Sequence, residues 1–366
     1  GGLYLTLDDA TTLMAATEDP AGFLSRFEGP VILDEVQLAP GLFRAIKLAV
    51  DRNRQPGRFL LTGSADVLLL PNLSESLAGR MEILSLWPFS ESELAGNAPS
   101  IVDLLFADAP LPQASTALSR AALLERMVTG GFPEAIARGS ARRRNAWFGS
   151  YITTILHRDV RELSNIEHLT LLPRLLSLVA ARSMSLLNHA ELSRAMGLPQ
   201  STLKRYMALL ETTFLVRQIP AWSANLGKRL VKSPKLMLCD TGLLAHLLGM
   251  DAGAAVPDHL TGPLVENYAA MELTKHLGWS DARVALYHFR DRTGKEADLL
   301  LENAAGRVVA IEVKAAASVS KNDLKHLHFL RDQLGDRFLR GVLLYTGTNS
   351  ISFDEQLEAA PLSILT

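Results

Sequence analysis

The sequence predicts an α/β protein with a parallel sheet near its N-terminal end. Short apolar runs alternate there with segments whose apolar residues recur every three or four positions, the spacing of one helix face. Continuous apolar strands that alternate with helices are typical of a parallel sheet covered on both faces. Near the other end, two apolar runs flank a turn-like segment and predict a hairpin. A largely helical stretch separates the two parts.

Four short apolar runs predict the strands of the N-terminal sheet. They are residues 3–7, 31–33, 59–62 and 83–86. Between the second and third runs, Leu42, Ala45, Ile46, Ala49 and Val50 follow the spacing of a helix face. Ligands of such folds bind beyond the carboxyl ends of the strands. The residues that fall at those ends are Asp34, Glu35, Thr62, Gly63 and Ser64.

Two adjacent carboxylates, Asp34 and Glu35, end the second predicted strand. A magnesium ion that bridges phosphates needs hard oxygen ligands, and Asp34 supplies one. Glu35 can orient and deprotonate a water molecule that attacks a terminal phosphate. Thr62 or Ser64, at the next strand end, can hydrogen-bond the same water or phosphate as a sensor. The pattern predicts nucleotide hydrolysis at this edge of the sheet.

The usual phosphate-binding loop of such a site does not occur in the chain. None of the 366 residues belongs to a G-x-x-x-x-G-K-[ST] motif, which normally cradles the phosphates. Arg80 follows a glycine just ahead of residues 83–86. A guanidinium group spreads the charge of a transferring phosphoryl group and is commonly delivered from a neighbouring subunit. The chain therefore shows half of an ATP site.

Three segments resemble the AAA-type P-loop ATPases of bacteria and archaea that carry a C-terminal domain of unknown function. They read GPVILDEVQLAP, PGRFLLTGSADVLLL and LSESLAGRMEILSLWPFSESEL. The resemblance implies ATP and Mg²⁺ as cofactors, with Asp34 for magnesium, Glu35 for catalysis, residues 62–64 as sensor and Arg80 as an arginine finger. It also implies a homo-oligomer, a ring of six subunits. In that family the P-loop precedes the first predicted strand, so we expect it before residue 1.

The middle of the chain differs from the first region in composition and in its apolar pattern. Residues 96–118 contain prolines and small residues, which favour a linker or an irregular lid segment. From residue 119 to about residue 183 the pattern is helical. The family resemblance continues here through GGFPEAI and SYITTILHRDV and implies a helical lid after the ATPase core.

A helix-turn-helix is predicted next. Residues 189–196 form a short helix, residues 197–199 a turn, and Ser201 caps a second helix. Strand-like residues 213–216 and 235–238 would then form a wing. Winged helices bind DNA in some proteins and serve as structural or protein-interaction modules in others, and both readings stay open.

Charge favours DNA as the partner of this segment. Residues 182–235 hold nine basic and two acidic residues, a net charge of +7 within a chain of −2. A concentrated positive field suits contact with a phosphate backbone. The residues predicted to bind DNA are Lys204, Arg205, Lys228, Arg229 and Lys232.

A second acidic cluster is predicted in the last region. Residues 297–301 and 307–313 read as the strands of a hairpin. A turn centred between Ala304 and Ala305 places Asp298 opposite Ile311, or opposite Glu312 after a shift of one residue. Glu312 and Lys314 are two positions apart and share a face of the strand.

These carboxylates resemble the motif of the restriction-endonuclease-like fold. Glu266 lies on an otherwise apolar helical stripe, and Glu266, Asp298 and then Glu312-x-Lys314 match the motif in order. Two or three carboxylates and a lysine can hold Mg²⁺ or Mn²⁺ and activate water against a phosphodiester. The resemblance implies Glu266, Asp298 and Glu312 as metal ligands and Lys314 as a catalytic residue.

Composition describes a globular protein, with 48% hydrophobic and 21% charged residues. Its apolar runs are far too short to cross a bilayer, so we expect no membrane contact. A single cysteine, Cys239, and the lack of a leader pattern favour the cytoplasm.

The predicted domains are a partial ATPase core at 1–98, a linker and helical lid at 99–183, a winged helix at 184–240 and a restriction-endonuclease-like domain at 241–366. The leading prediction of function is an AAA-type ATPase that acts on DNA. The alternatives are a metal-dependent nuclease or DNA-binding module with a scaffold α/β domain, and a regulatory, antitoxin-like interaction protein.

Overall fold

The computed structural model describes residues 2–64, 77–96, 99–112, 118–159, 169–229, 232–251 and 255–366. The chain divides into two compact units. The first comprises residues 1–85, 157–166 and 205–214, and the second comprises residues 86–156, 167–204 and 215–366. Over the described ranges, no helix is long and apolar enough to span a membrane.

A three-stranded parallel sheet is the centre of the first unit, which confirms the predicted N-terminal parallel sheet. Its order is β1 (Leu3–Thr6), β2 (Val31–Asp34), β3 (Phe59–Leu61). The α-helices in the described part of residues 1–85 are Ala10–Glu18, Pro20–Ser25 and Gly41–Arg52. A tight turn of 3-10 helix, Val36–Leu38, follows β2.

Local sequence explains where these helices begin and which side they bury. Asp9 and Asp19 cap the first two, because their carboxylates accept hydrogen bonds from the backbone N–H of Thr12 (2.8 Å) and Gly22 (2.9 Å). In the third helix, Leu42 joins the same core as Leu33 of the sheet, and both are fully buried. Each such leucine stabilises the unit by about 1.5–3 kcal/mol.

The two faces of this sheet differ. One face packs on the core through residues such as Val31 and Leu33. On the other, Tyr4 and Leu60 flank Ile32 in register and are 57% and 54% exposed. Because alternate residues of a strand share a face, Asp34 lies on this second, open face.

The predicted fourth strand, residues 83–86, is irregular. Leu84 and Leu86 are 81% and 97% exposed, and no strand of the described chain pairs with this run. An apolar run forms a strand only when a neighbour accepts its backbone hydrogen bonds, and Pro88, close behind, cannot donate one.

The predicted linker 96–118 contains a helix, Ile101–Phe106. Ser100 caps it, with its hydroxyl 3.2 Å from the N–H of Val102. Ile101 is buried, and its N–H donates to Nδ1 of His276 at 3.1 Å. Pro110 and Pro112 follow this helix, and residues 107–112 are irregular as predicted, whereas the prediction was wrong for residues 101–106.

Helices dominate residues 119–159 and 169–183, as the sequence pattern predicts. The described helices are Arg120–Thr129, Pro133–Ile136, Ala141–Thr154 and Leu172–Ala180. A short helix, Glu91–Ala95, precedes them.

Two helices and a two-stranded sheet follow in the predicted helix-turn-helix segment. The helices are His189–Met196 and Gln200–Thr212, and β4 (Val216–Ile219) pairs antiparallel with β5 (Lys235–Leu238). Ser201 lies inside the second helix, not at its cap. The first strand begins later than predicted because the helix runs to Thr212 and Phe214 turns with a φ of 54°.

The C-terminal part is built on a six-stranded mixed sheet of order β10-β11-β9-β8-β7-β6. Its strands are β6 (Val284–Arg290), β7 (Glu296–Asn303), β8 (Val308–Lys314), β9 (Phe338–Tyr345), β10 (Ile351–Ser352) and β11 (Leu357–Pro361). The helices of this part are Leu226–Arg229, Thr241–Leu247, Asp258–His276 and Lys325–Leu334.

The predicted hairpin forms between β7 and β8, in the second of the two predicted registers. Leu299 lies opposite Ile311, and the same register carries Asp298 opposite Glu312. Asn303 sets the turn, because its side-chain oxygen accepts hydrogen bonds from the N–H groups of Ala305 (3.1 Å) and Arg307 (2.9 Å). Gly306 completes it with a φ of 78°.

Candidate functional site

The first candidate site lies at the carboxyl end of β2, on the open face of the sheet. The hydroxyl of Tyr4 donates to Oδ2 of Asp34 at 2.7 Å, and the hydroxyl of Thr62 donates to Oδ1. These hydrogen bonds, the one from Thr62 first, lower the pKa of Asp34. Asp34 is therefore an ionised carboxylate at neutral pH, held in place by the strands on both sides of its own.

Glu35, the next residue, has left-handed backbone angles, with φ 57° and ψ 41°. Such a conformation costs a non-glycine residue about 1–2 kcal/mol. It turns the chain sharply after β2, and the amide of Gln37 then donates to the Glu35 carboxylate and to Oγ of Ser64, the latter at 3.2 Å. Strain of this kind collects at functional positions.

Gly63 leaves room for this amide. A Cβ at residue 63 would lie 2.5 Å from Oε1 of Gln37. Gln37 and Tyr4 were not among the predicted site residues. Gln37 lies two residues after Glu35 in the segment GPVILDEVQLAP, whereas Tyr4 is recognised only from the pairing of β1 with β2.

Arg80, the predicted arginine finger, is paired within its own unit. Its Nε lies 2.6 Å from Oδ1 of Asp51, and its Nη2 lies 3.0 Å from Oδ2. The hydrogen bond from Arg80 lowers the pKa of Asp51. This two-point contact orients the guanidinium at the end of the Gly41–Arg52 helix.

The donor set of the first site fits a magnesium nucleotide. An ionised carboxylate, Asp34, and the hydroxyl of Thr62 are hard oxygen donors. Glu35 stands beside them with its carboxylate held by Gln37. The structure thus brings Asp34, Glu35, Thr62, Gly63 and Ser64 to one edge of the sheet.

The second candidate site lies between the Asp258–His276 helix and the hairpin. Lys235, at the start of β5, places its ammonium against the carboxylate of Glu266 and 3.3 Å from Oδ1 of Asp298. The other oxygen of Asp298 accepts from the N–H of Val313 at 2.9 Å. Oε1 of Glu312 is 2.7 Å from Nζ of Lys314, and Oε2 is buried with no hydrogen-bond partner in the described part of the chain.

Burial dominates the electrostatics of this second site. It raises the pKa of both Glu266 and Glu312, and repulsion from Asp298 adds to the shift. Burial alone would lower the pKa of Lys235, but attraction to Glu266 and Asp298 more than offsets it, so its pKa is raised. Lys235 is therefore a charged ammonium at neutral pH.

The predicted residues of the second site do come together, but their carboxylates contact lysine side chains and do not surround one empty position that a metal ion could take. No group of three carboxylate, histidine or cysteine side chains in the described ranges is arranged to hold a metal ion. A depression of about 260 Å³ opens beside Glu312 and Lys314, lined also by Asp323 and His326. Lys235 is one of the nine basic residues that give residues 182–235 their positive charge, yet it is 8% exposed.

The predicted DNA-binding residues have different surroundings. Lys204 and Arg205 are exposed on their helix. Lys232 donates to the backbone oxygen of Arg290 at 3.1 Å. The side chain of Lys228 lies outside the described residues.

Arg229 is held by the C-terminal sheet. Its guanidinium makes two hydrogen bonds to Glu302, of 2.6 and 3.0 Å, and stacks over the rings of Trp222 and Tyr287. Both charged side chains of this pair are 12% exposed. The guanidinium of Arg229 thus donates its hydrogen bonds to Glu302 within the protein.

Three protein-family models match the chain. An AAA domain matches residues 2–95, a domain of unknown function (DUF8612) matches residues 120–254, and another (DUF4143) matches residues 261–365. The AAA domain contains the first candidate site and indicates nucleotide binding of the ATPase type. The second candidate site extends over both domains of unknown function.

Relatives of the chain are found in three bacteria. An uncharacterized protein of Mycobacterium tuberculosis is 31% identical over 357 residues, which are 96% of this chain and 72% of the relative. One of Mycobacterium bovis gives the same values. One of Haemophilus influenzae is 24% identical over 230 residues, 60% of this chain and 52% of the relative. The chain belongs to one family with the mycobacterial proteins, an AAA-type ATPase-like family that carries DUF4143 at its C-terminal end.

Proposed function

We propose that the protein binds and hydrolyses ATP with Mg²⁺ at the carboxyl end of β2. One observation carries this proposal: Asp34 is an ionised carboxylate held by hydroxyl groups from both neighbouring strands, directly before a strained Glu35. The match to an AAA domain over residues 2–95 supports it. Asp34 and Thr62 would hold the metal ion, which neutralises phosphate charge when it is bound with the nucleotide.

Glu35 is the residue that we assign to water activation. A carboxylate beside the metal ligand can orient a water molecule and take its proton. Gln37 limits the rotation of the Glu35 side chain and links it to Ser64. Residues 62–64 then act as the sensor, because a shift of Ser64 or Gly63 on nucleotide binding would reach Glu35 through the amide of Gln37.

The sharpest test is Glu35→Gln, compared with Glu28→Gln as a matched control on an exposed glutamate before β2. The assay measures ATP turnover by the full-length natural protein. We expect Glu35→Gln to lower turnover by about 10²–10⁴-fold, the usual contribution of a general base, and to leave ATP binding intact. Equal turnover by the two variants would remove Glu35 from the chemistry.

Arg80 is the residue that we assign to a neighbouring subunit's nucleotide in a ring-shaped oligomer. In each cycle of ATP hydrolysis, the guanidinium of Arg80 then leaves Asp51 and contacts the phosphate of the neighbouring subunit's nucleotide. Arg80→Ala should lower turnover and leave the nucleotide affinity of isolated subunits unchanged. If turnover per subunit does not depend on protein concentration, or Arg80→Ala hydrolyses ATP normally, this role is excluded.

We propose DNA as the partner, because residues 182–235 carry a net charge of +7. The structure indicates which basic side chains to compare in a binding experiment. Lys204 is exposed, whereas Arg229 is engaged by Glu302. A lysine that contacts phosphate contributes about one unit to the slope of log affinity against log salt. Lys204→Ala should reduce that slope by about one, and Arg229→Met should not. Affinity for duplex DNA that is unchanged in Lys204→Ala at every salt concentration argues against this surface.

A further inference from the structure

The second candidate site lies outside the AAA domain, and its chemistry does not depend on ATP hydrolysis. The restriction-endonuclease-like resemblance implies a divalent metal ion held by Glu266, Asp298 and Glu312. Oxygen ligands of Mg²⁺ must converge on one point at about 2.0–2.1 Å. The question is whether these carboxylates leave such a point free.

Each of the three carboxylates is already engaged. Glu266 receives the ammonium of Lys235, and Asp298 divides its two oxygens between Lys235 and the N–H of Val313. Glu312 receives Lys314 on one oxygen, while its other oxygen is buried and has no partner among the described residues. The point between Glu266 and Asp298 is the one where a shared metal ion would sit, and Nζ of Lys235 is there.

Lys235 cannot easily leave this position. It begins β5, whose backbone is fixed on both edges, by pairing with Ile219 of β4 and by the hydrogen bond of Leu236 N–H to the oxygen of Ser185 (3.0 Å). Its side chain is 10% exposed. Withdrawing it would leave the carboxylates of Glu266 and Asp298, which are only 18% and 14% exposed, without their cation, and the loss of a cation from such a site costs several kcal/mol.

Charge leads to the same conclusion. Even with every group ionised, three carboxylates face two ammonium groups, Lys235 and Lys314. The net charge of −1 is small for a site that must attract a dication against its hydration shell. Without Lys235 the same site would carry −2 and would have an empty position between two oxygens.

We propose that the ammonium of Lys235 takes the place of the divalent metal ion, so that this domain keeps the carboxylates of a metal site but binds no Mg²⁺ or Mn²⁺ there. Lys235 is a built-in cation that holds the Asp258–His276 helix to β7 through Glu266 and Asp298. The domain then acts as a binding or structural module, and phosphodiester cleavage through these carboxylates is excluded.

The test measures Mn²⁺ binding by the electron paramagnetic resonance signal of the free ion, without nucleotide. All proteins carry Asp34→Asn, so that the first candidate site does not contribute. We expect no binding at 1 mM Mn²⁺ when Lys235 is present. Lys235→Met should gain one site with a dissociation constant at least tenfold below that concentration, and adding Glu266→Gln should abolish it.

Two outcomes would overturn the proposal. One is a Mn²⁺ site in the protein that retains Lys235, lost in Glu266→Gln, and this result does not depend on any Lys235 variant. The other is a folded Lys235→Met protein that binds no Mn²⁺. Lys235→Gln, which keeps a hydrogen-bond donor near both carboxylates, replaces Lys235→Met if the latter does not give a cooperative thermal transition. Neither result bears on Glu35, so failure here is distinguishable from failure of the ATPase proposal.

Discussion

Replacement of Lys275 by Met should destabilise the protein strongly, because Lys275 is the cation of a buried network. The side chains of Lys275 and Glu272 are 6% and 2% exposed, and Nζ lies 2.7 Å from Oε1 of Glu272. Lys275 also donates to the backbone oxygen of Phe89 at 2.9 Å, and Glu272 accepts from the N–H of Glu91 at 2.9 Å. The network therefore fixes residues 89–91 on the Asp258–His276 helix.

The expected loss follows from leaving Glu272 buried without its cation. Breaking a buried ion pair by removing one partner costs about 3–5 kcal/mol. With a urea m-value of about 3 kcal/mol/M, the unfolding midpoint would fall by about 1–1.7 M. Lys321→Met, on an exposed lysine, is the matched control and should change the free energy of unfolding by less than about 0.5 kcal/mol.

The loss should also depend on pH. Burial raises the pKa of Glu272 in the folded protein, so the folded state binds a proton more readily than the unfolded chain. Stability from this group is therefore lost as pH rises above the unfolded value of about 4.5. Without Lys275 the pKa rises further, and the deficit of Lys275→Met should be larger at pH 8 than at pH 5.

Urea unfolding monitored by circular dichroism measures these differences. Glu272→Gln in the Lys275→Met background removes the orphaned charge and should restore about 1–3 kcal/mol, a coupling typical of contacting residues. Lys275 is not the cation that holds Glu272 if Lys275→Met unfolds like Lys321→Met, or if the effects of Glu272→Gln and Lys275→Met on the free energy of unfolding simply add.

Three further predictions concern single positions. Glu35→Gly should be more stable than Glu35→Ala by about 1 kcal/mol in urea unfolding, because only glycine relieves a φ of 57°; equal stabilities would contradict the strain. Gly63→Ala should lower ATP turnover with little change in melting temperature, because its Cβ displaces the flexible amide of Gln37; normal turnover would show that this amide is dispensable. Arg229→Met should lower the free energy of unfolding by about 2–4 kcal/mol, because it leaves the half-buried carboxylate of Glu302 with one fewer cation. An unchanged midpoint of urea unfolding would mean that the Arg229–Glu302 pair contributes nothing to stability.

Much of the first site could be predicted because parallel strands bring their carboxyl ends to one edge. That rule alone places Asp34, Glu35 and Thr62 together. It does not give the partners of these groups, since Tyr4 and Gln37 are recognised only from strand order and from the sharp turn at Glu35. The irregular run at 83–86 shows the limit of composition, because apolar residues do not form a strand without a neighbour to pair with.

The second site shows why residue type and order are not sufficient. The motif order of Glu266, Asp298 and Glu312 was readable along the chain, and the three do approach one another. The cation between them comes from β5, outside the motif, where Lys235 looked like one more basic residue of a positive segment. A lysine at the head of a buried strand, KLML, was the available signal, since it must find a counter-charge inside.

The contact between Arg80 and Asp51 makes the proposed finger a matter of ligand exchange. The Arg80 guanidinium already binds both carboxylate oxygens of Asp51. When it moves to a phosphate, the net binding free energy is only the difference between its interaction with phosphate and its interaction with Asp51. The guanidinium therefore discriminates by charge: a doubly charged terminal phosphoryl group competes with Asp51 far better than a neutral or singly charged group does. If Arg80 acts as we propose, Asp51 would set a threshold: the guanidinium would leave it for the terminal phosphate of a neighbouring subunit's nucleotide but not for weaker anions of the surrounding solution.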